Sequence, residues 1–477
     1  MSPAAERMSR VDTAWLRMDN DVNLMMIVGV WILEPALTLQ AVRERAADRL
    51  LRFDRFSQRA VADALGASWV DADDFDIDRH VVPHVLQPER GHDERHALQA
   101  LCGRLAGEAL DPAHPLWQFH VIERYGAGSA IVVRIHHCIA DGIALIGVMN
   151  SITDGGAQPP PRPRGERSTA DEHDWLLKAV LEPLTDVTVK AIGLTGSGMA
   201  KSIEAIAHPE QPLQDSLGAL KGGLQVLQDA AALAFMGDDS PTLLKGRPDG
   251  RKVVAWNEPM GLDAVKAVGK GLGCSVNDVL LSCVAGAIGS YLRDRGDDPQ
   301  GKEIRAMVPV NLRPPEESWQ LGNRFGLAPL VLPVGLANPI ERVYAVRRRM
   351  AELKGSYQPL LAFAILAATG LFLKPVQDFV LGLFSKKTTA VMTNVPGPPG
   401  ALQFCGSTIR QTMFWVPASG EVAVGVSVLS FAGLVQFGVV TDAALCPDPQ
   451  AIVERFEPEF EKLLWLTMML PWDGQGD

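Results

Sequence analysis

Ser129–Asn150 reads SAIVVRIHHCIADGIALIGVMN: a strand, a tight corner and a helix, in that order. Ala130–Ile135 is the β-branched apolar run that a buried strand requires. Ile143, Ile146 and Val148–Met149 open a helical pattern. Between the two elements stand His136 and His137, followed by Asp141 and Gly142. Side chains leaving a strand alternate between its faces, so one imidazole is expected to be held inside while the other faces an opening.

Upstream, Met8–Asp19 reads as a short amphipathic turn or helix leading into an apolar strand at Leu24–Leu33. Leu39, Val42, Ala46 and Leu50 repeat at helical spacing, as do Leu98, Leu101, Leu105 and Leu110 before Asp111 and Pro112. Trp69–Val82 alternates acidic and apolar residues like a half-exposed strand or loop, and Phe119–Ile122 is a further strand. Residues 155–170, GGAQPPPRPRGERSTA, form a linker whose prolines and glycines can continue neither regular structure. A helical connector is expected beyond it, to about residue 236. A second strand-and-helix set begins near Arg251 and includes a hairpin-like pair, AVGVSVLSFAGLVQFGVV, and a last helix from Asp448 to about Met469. The expected organisation is an N-terminal half over 1–160, a connector over 161–245 and a C-terminal half over 246–477. Interleaved strands and helices imply an α/β layer architecture.

Composition narrows the partners. Lys plus Arg number 45 against 56 for Asp plus Glu, a net charge of -11, whereas nucleic-acid binding needs a basic stripe. Hydrophobic residues make up 47%, enough for a large core or an apolar cavity, or for a surface that meets lipid. The six cysteines form no CxxC pair or disulfide framework, and no basic n-region precedes Leu24–Leu33. A reduced, cytoplasmic setting is expected.

No G-x-S-x-G elbow is present, the Gly-x-Gly near Tyr125 precedes a strand instead of following one, and Thr195–Ser202 lacks both P-loop glycines. All ten histidines lie at or before His208, so imidazole chemistry belongs to the N-terminal half. A neutral imidazole at the strand end can take a proton from an alcohol as it attacks an activated acyl carbon. No HExxH or CxxC partner supplies further metal ligands. Asp141 can cap the helix or hold an arginine that braces the corner.

HHCIADG at His136–Gly142 matches the HHxxxDG motif of coenzyme A-dependent acyltransferases and of condensation domains. LDPAHPLWQFHVIE around Pro115, Leu116 and Trp117, FDIDRHV at Phe75–Val81 and SVNDVLL at Ser275–Leu281 narrow the match, as do VPVNLR (308–313), GNRFG (322–326) and TNVPGP (393–398). Together they resemble the wax ester synthase/diacylglycerol acyltransferase family over nearly the whole chain. The resemblance implies two chloramphenicol-acetyltransferase-like domains, each a mixed sheet flanked by helices, with a tunnel at their interface. It implies long-chain acyl transfer from acyl-CoA, as co-substrate, to diacylglycerol or a fatty alcohol, with no other cofactor. His137 would be the general base, His136 and Asp141 would organise the corner, and Gly142 would leave room for the backbone.

A thioester is already activated, so the enzyme needs a base, oxyanion donors and exclusion of water. Asn277, beside Asp278, is a candidate for polar support at the site or an N-cap for the helix that follows. Pro115, Leu116 and Trp117 are candidates to bind substrate or support the site, Trp117 reading as core packing near the tunnel or as a direct substrate contact, and residues 394–398 read as a rigid turn. The family's Ser-Pro-Leu-Asp opening is here Ser9-Arg10-Val11-Asp12, and Cys138 stands where alanine is commoner. Pro359–Leu373, PLLAFAILAATGLFL, is either a buried core helix or a surface that dips into a membrane or lipid body, with Lys374, Lys386 and Lys387 at the headgroups. Two other functions fit the motif: an amide-forming condensation domain, and a non-catalytic lipid-binding protein on the same scaffold.

Overall fold

Every residue of the strand Gly128–His136 is buried, which is why its middle, Ala130–Val133, reads as a continuous apolar run. Ile131, Val133 and Ile135 join one hydrophobic core while Ala130 and Val132 join another on the opposite face. The computed structural model describes residues 5–63, 66–157, 232, 236–313, 320–356, 358–369, 382, 385–418 and 420–469. Apart from residue 232, the expected connector up to residue 235 lies outside them.

The buried strand pairs antiparallel with Met26–Glu34 on one side and Trp117–Tyr125 on the other. Val81–Pro83 closes one edge in parallel. The other edge comes from the far half of the chain: Ser407–Trp415 lies antiparallel on Met26–Glu34, with Gln403–Phe404 outside it. The second sheet runs Phe325–Leu332, Ile304–Asn311, Ala390–Pro396, Val424–Phe431, Leu434–Asp442 and Lys252–Trp256, and Met260–Gly261 also pairs with Leu434–Asp442. It is mixed, since Ala390–Pro396 is parallel to both its neighbours. A third, small sheet joins Glu6–Arg7, Gly66–Asp71 and Gln58–Asp63. Two mixed sheets flanked by helices are the architecture expected from the sequence.

Val424–Phe431 and Leu434–Asp442 form the expected hairpin, turning at Ala432 and Gly433, both of positive φ, which matches the right-handed twist of the strands. Four local expectations change. The helix Glu94–Gly107 ends before Leu110. Residues 69–82 divide into the end of a strand, a short helix Ile77–His80 capped by Asp76, and the edge strand. The last helix splits into Pro449–Val453 and Phe456–Met468. Helix Val276–Asp294 starts earlier than expected, because Ser275 and Asp278 close a capping box, so Asn277 is not its cap.

The C-terminal half thus completes the N-terminal sheet. Helix Glu94–Gly107 packs back on Lys252–Trp256, where a Cβ at Gly103 would stand 2.4 Å from the Lys252 carbonyl oxygen. Residues 5–157 expressed alone would leave Met26–Glu34 as a bare, apolar edge. That fragment is expected to aggregate and to lose its cooperative melting transition, while co-expression with residues 236–477 restores both. A soluble, sharply melting fragment would show that the shared strand is dispensable.

Candidate active site

The corner after Gly128–His136 is held by main-chain and side-chain bonds from three directions. His136 N–H donates to the Leu116 carbonyl at 2.9 Å and His137 N–H to the Met25 carbonyl at 2.7 Å. Cys138 N–H donates to His136 Nδ1 at 3.1 Å, so the His136 proton sits on Nε2, 3.2 Å from Asp19 Oδ1. His136 is therefore a buried latch between the strand and the 18–25 loop. The Cys138 thiol is fully enclosed, and burial pushes its pKa far up, so it is no nucleophile.

Asp141 does both things foreseen for it. One oxygen caps helix Gly142–Ile152 by accepting from Ala144 N–H at 2.9 Å. The other accepts from Arg313 Nη2 at 2.7 Å and from Arg324 N–H at 3.0 Å. The Arg313 side chain is 1% exposed and that of Asp141 4%, so the pair is sealed from water. Arg313 also donates to the carbonyls of Gln320 and Gly322. Gly322 takes φ +99°, a conformation that favours glycine, and forms an isolated parallel bridge with Ala140. The VPVNLR and GNRFG blocks thus act as a clasp from the C-terminal half onto the N-terminal corner.

His137 is clasped in its own way. Asn323 Nδ2 donates to the His137 carbonyl at 2.8 Å and to Asp12 Oδ1 at 2.6 Å. The imidazole stacks on Trp15, ring centres 4.1 Å apart and planes 13° off parallel, with Phe325 tilted at 5.6 Å. Asp12 and Trp15 belong to the helix Arg10–Arg17, capped by Ser9, so the altered family opening still supplies the aspartate that orients Asn323. His137 Nδ1 is buried without a partner among the described residues, leaving Nε2 as the nitrogen through which the ring can act. Burial lowers its pKa to about 4, an effect that the Asp141 charge partly opposes.

His137 lines a cavity of about 350 Å³ between the two halves. Its wall is chiefly apolar, with Trp15, Met18, Phe325, Phe363 and Leu366 among the residues that form it. The described part of the Pro359–Leu373 segment lies in helix Gln358–Thr369, where Phe363 is buried in that wall and Ile365 is exposed; 370–373 lie outside the described residues. A cavity of about 100 Å³ adjoins at Gly142 and Phe414, and one of about 550 Å³ at Pro309 and Asn394. Adjoining cavities mark this interface among the described residues.

Gly142 is not tightly packed: a Cβ there would meet nothing within 4 Å, so the space it leaves is cavity and not backbone clearance. Trp117 lies in the core, its indole N–H donating to Phe56 at 2.8 Å and its ring stacked on His80, and it lines none of these cavities. Leu116 meets the corner through its carbonyl, which accepts from His136 N–H, and shares the hydrophobic core of Cys138, Ile139 and Ala140. Asp278 serves the capping box, and Asn277 touches the His137 cavity only by accepting from Asn394 Nδ2 at 2.6 Å. Asn394, read as part of a turn, sits instead on strand Ala390–Pro396 and lines the cavity. Trp15, Asn323 and Asn394 carry no signal that pairs them with a histidine far away in sequence. Among the described residues no group of three or more His, Cys, Asp or Glu is placed to hold a metal ion.

The wax ester synthase/diacylglycerol acyltransferase catalytic-domain model matches residues 8–280, and the C-terminal-domain model of the same family matches residues 321–464. A probable diacylglycerol O-acyltransferase of Mycobacterium tuberculosis is 26% identical over 476 residues, covering 96% of each chain. The fold is similar to the wax ester synthase/diacylglycerol acyltransferase from Marinobacter aquaeolei VT8, with a TM-score of 0.64 at 19% identity over 98% of this chain and 100% of that one. The first condensation domain of the calcium-dependent antibiotic synthetase follows, with a TM-score of 0.60 at 13% identity over 98% and 97%.

Removing one member of a buried ion pair strands the other without its counter-charge. Arg313→Met is expected to cost about 3–5 kcal/mol of stability, read as a lowered denaturation midpoint. Arg313→Lys is expected to recover only part of this, because an ammonium cannot span Asp141 and two carbonyls as the planar guanidinium does. Wild-type stability in Arg313→Met would remove the clasp from the account.

Proposed function

The chain belongs to the wax ester synthase/diacylglycerol acyltransferase family, and from that premise we propose that it is an acyl-CoA-dependent O-acyltransferase with His137 as its general base. It moves a long-chain acyl group from acyl-CoA to diacylglycerol, to a long-chain alcohol, or to both. The observation that carries this reading is the His137 ring, clamped by face and backbone in the wall of an apolar cavity with one nitrogen enclosed.

The acceptor hydroxyl gives its proton to His137 Nε2 as its oxygen attacks the thioester carbonyl carbon. The oxyanion that forms needs a donor, and Asn394, held by Asn277, offers a side-chain amide in the same wall. Collapse of the intermediate breaks the carbon–sulfur bond and forms the ester. The thiolate leaves with the proton returned from the imidazolium as free coenzyme A, and no covalent enzyme intermediate or further cofactor enters. Dry walls favour transfer to the alcohol over hydrolysis.

The condensation-domain likeness rests on 13% identity and concerns fold, so amide formation has less support than ester formation. The proposal places the protein in the cytoplasm, meeting a membrane or lipid body peripherally, because its acceptors partition into lipid. No single helix among the described residues is long and apolar enough to cross a membrane. Binding to diacylglycerol-containing liposomes supports peripheral contact, and a protein left wholly in the supernatant would count against it.

Thiol release from palmitoyl-CoA with dioleoylglycerol or hexadecanol is expected to fall about 10²–10⁴-fold in His137→Ala. Equal release in both proteins would remove the base. The pH profile gives a second check. A ring with its pKa lowered to about 4 stays neutral, and able to accept a proton, below the ordinary 6.5. The acid limb of kcat/KM should therefore centre near 4. Between about 4 and 6.5 the unfolded chain binds a proton at this site that the folded chain does not, so its contribution to stability is lost as pH falls. A limb centred at 6.5 would contradict the burial argument.

A further inference from the structure

When His137 takes the proton it becomes a cation in a place built to keep it neutral. A carboxylate beside the second ring nitrogen is the common remedy, since it stabilises the imidazolium as it forms. Here Nδ1 has no partner among the described residues. The nearby carboxylates are committed elsewhere: Asp141 to Arg313, Arg324 N–H and Ala144 N–H; Asp12 to Asn323; and Asp19 to His136 and Met25 N–H.

The ionisable groups on the elements around the ring are few. Arg10, Asp12 and Arg17 lie on the helix that carries Trp15, and Asp19 lies on the loop after it. His136, Asp141 and the buried thiol of Cys138 belong to the corner, and Arg313 and Arg324 to the clasp. Phe325–Leu332, Gln358–Thr369 and Gly142–Ile152 contribute no ionisable side chain. What does face the imidazole is the indole of Trp15, 4.1 Å away and 13° from parallel.

We propose that Trp15 is a positioning residue whose indole face stabilises the His137 imidazolium by a cation–π contact, taking the place of the carboxylate that Nδ1 lacks. This rests on the proposed function. Indole is the strongest π partner among the side chains, and the contact gains strength when desolvated. Trp15 is 6% exposed and His137 4%, so both rings are out of water. The stack is also fixed in register. Asp12 and Trp15 are three residues apart and share one helix face. Asp12 holds Asn323, which holds the His137 carbonyl, while Trp15 covers the ring of the same residue. One helical turn thus sets both the backbone and the plane of the base.

Trp15→Phe keeps a ring with a weaker quadrupole, and Trp15→Leu removes it. The expected order of kcat at neutral pH is Trp, then Phe, then Leu, with Leu lower by about ten- to thirty-fold. KM for palmitoyl-CoA should stay within about twofold, since the contact strengthens only when the ring is charged. Nitrogen-15 NMR of histidine-labelled protein, with His137 assigned by its absence in His137→Ala, should show the His137 pKa lower by about one unit in Leu and by less in Phe. A folded Leu variant with unchanged kcat, or with His137 titrating as in wild type, overturns the proposal. So does equal kcat in the Phe and Leu variants. If the Leu variant does not fold, the Phe variant decides alone, and an unchanged titration overturns the proposal. Undiminished thiol release in His137→Ala would instead sink the catalytic reading, while the titration still reports whether the stack holds the cation.

Discussion

The structure turns on one ion pair between residues 172 positions apart: Arg313 from the C-terminal half and Asp141 from the N-terminal corner. Two charges removed from water are a poor source of net stability. Their effect here is on arrangement, since each is also tied to partners in its own half. Asp141 must also cap its helix, and Arg313 must also meet two carbonyls of the loop that bridges to Ala140. The halves are thereby registered against each other where the cavity forms, and the strand Ser407–Trp415 extends that registration into the sheet itself.

From that registration comes the character of the base. A histidine on a free strand end would be hydrated and would titrate near its ordinary value. Enclosed by Trp15, Phe325 and the clasp, His137 has only a small opening, and desolvation outweighs the one nearby charge that favours its protonation. The same enclosure that keeps the ring neutral makes the reacting space dry. Proton acceptance and exclusion of water thus have a single structural cause.

Much of this was legible along the chain because it is local. The burial of Gly128–His136 shows in an apolar, largely β-branched run from Ala130 to Ile135 that only Arg134 interrupts, and the helix start after Asp141 shows in one carboxylate before an apolar period. The hairpin near Ala432 shows in its alternation and glycine. Less visible were roles that depend on what a residue meets. Asn277 sits at a helix start and looks like a cap, yet Ser275, two residues earlier, takes the backbone donor and frees Asn277 to hold Asn394. Trp117 sits in a motif block beside the site in sequence, but its indole is spent on Phe56 in the core.

The sequence by itself determined the two-sheet α/β architecture, the family, and the segment that presents the two histidines, because periodicity and motif spacing are properties of contiguous residues. Tertiary structure alone decided which histidine faces the cavity, that a strand near Ser407 completes the N-terminal sheet, that Trp15 covers the imidazole of His137, and that Asp12, Asn323 and Arg313 fix the backbone and the corner around it. Those contacts join residues more than a hundred positions apart, and only packing, with its demand that each buried polar group find a partner, brings them together.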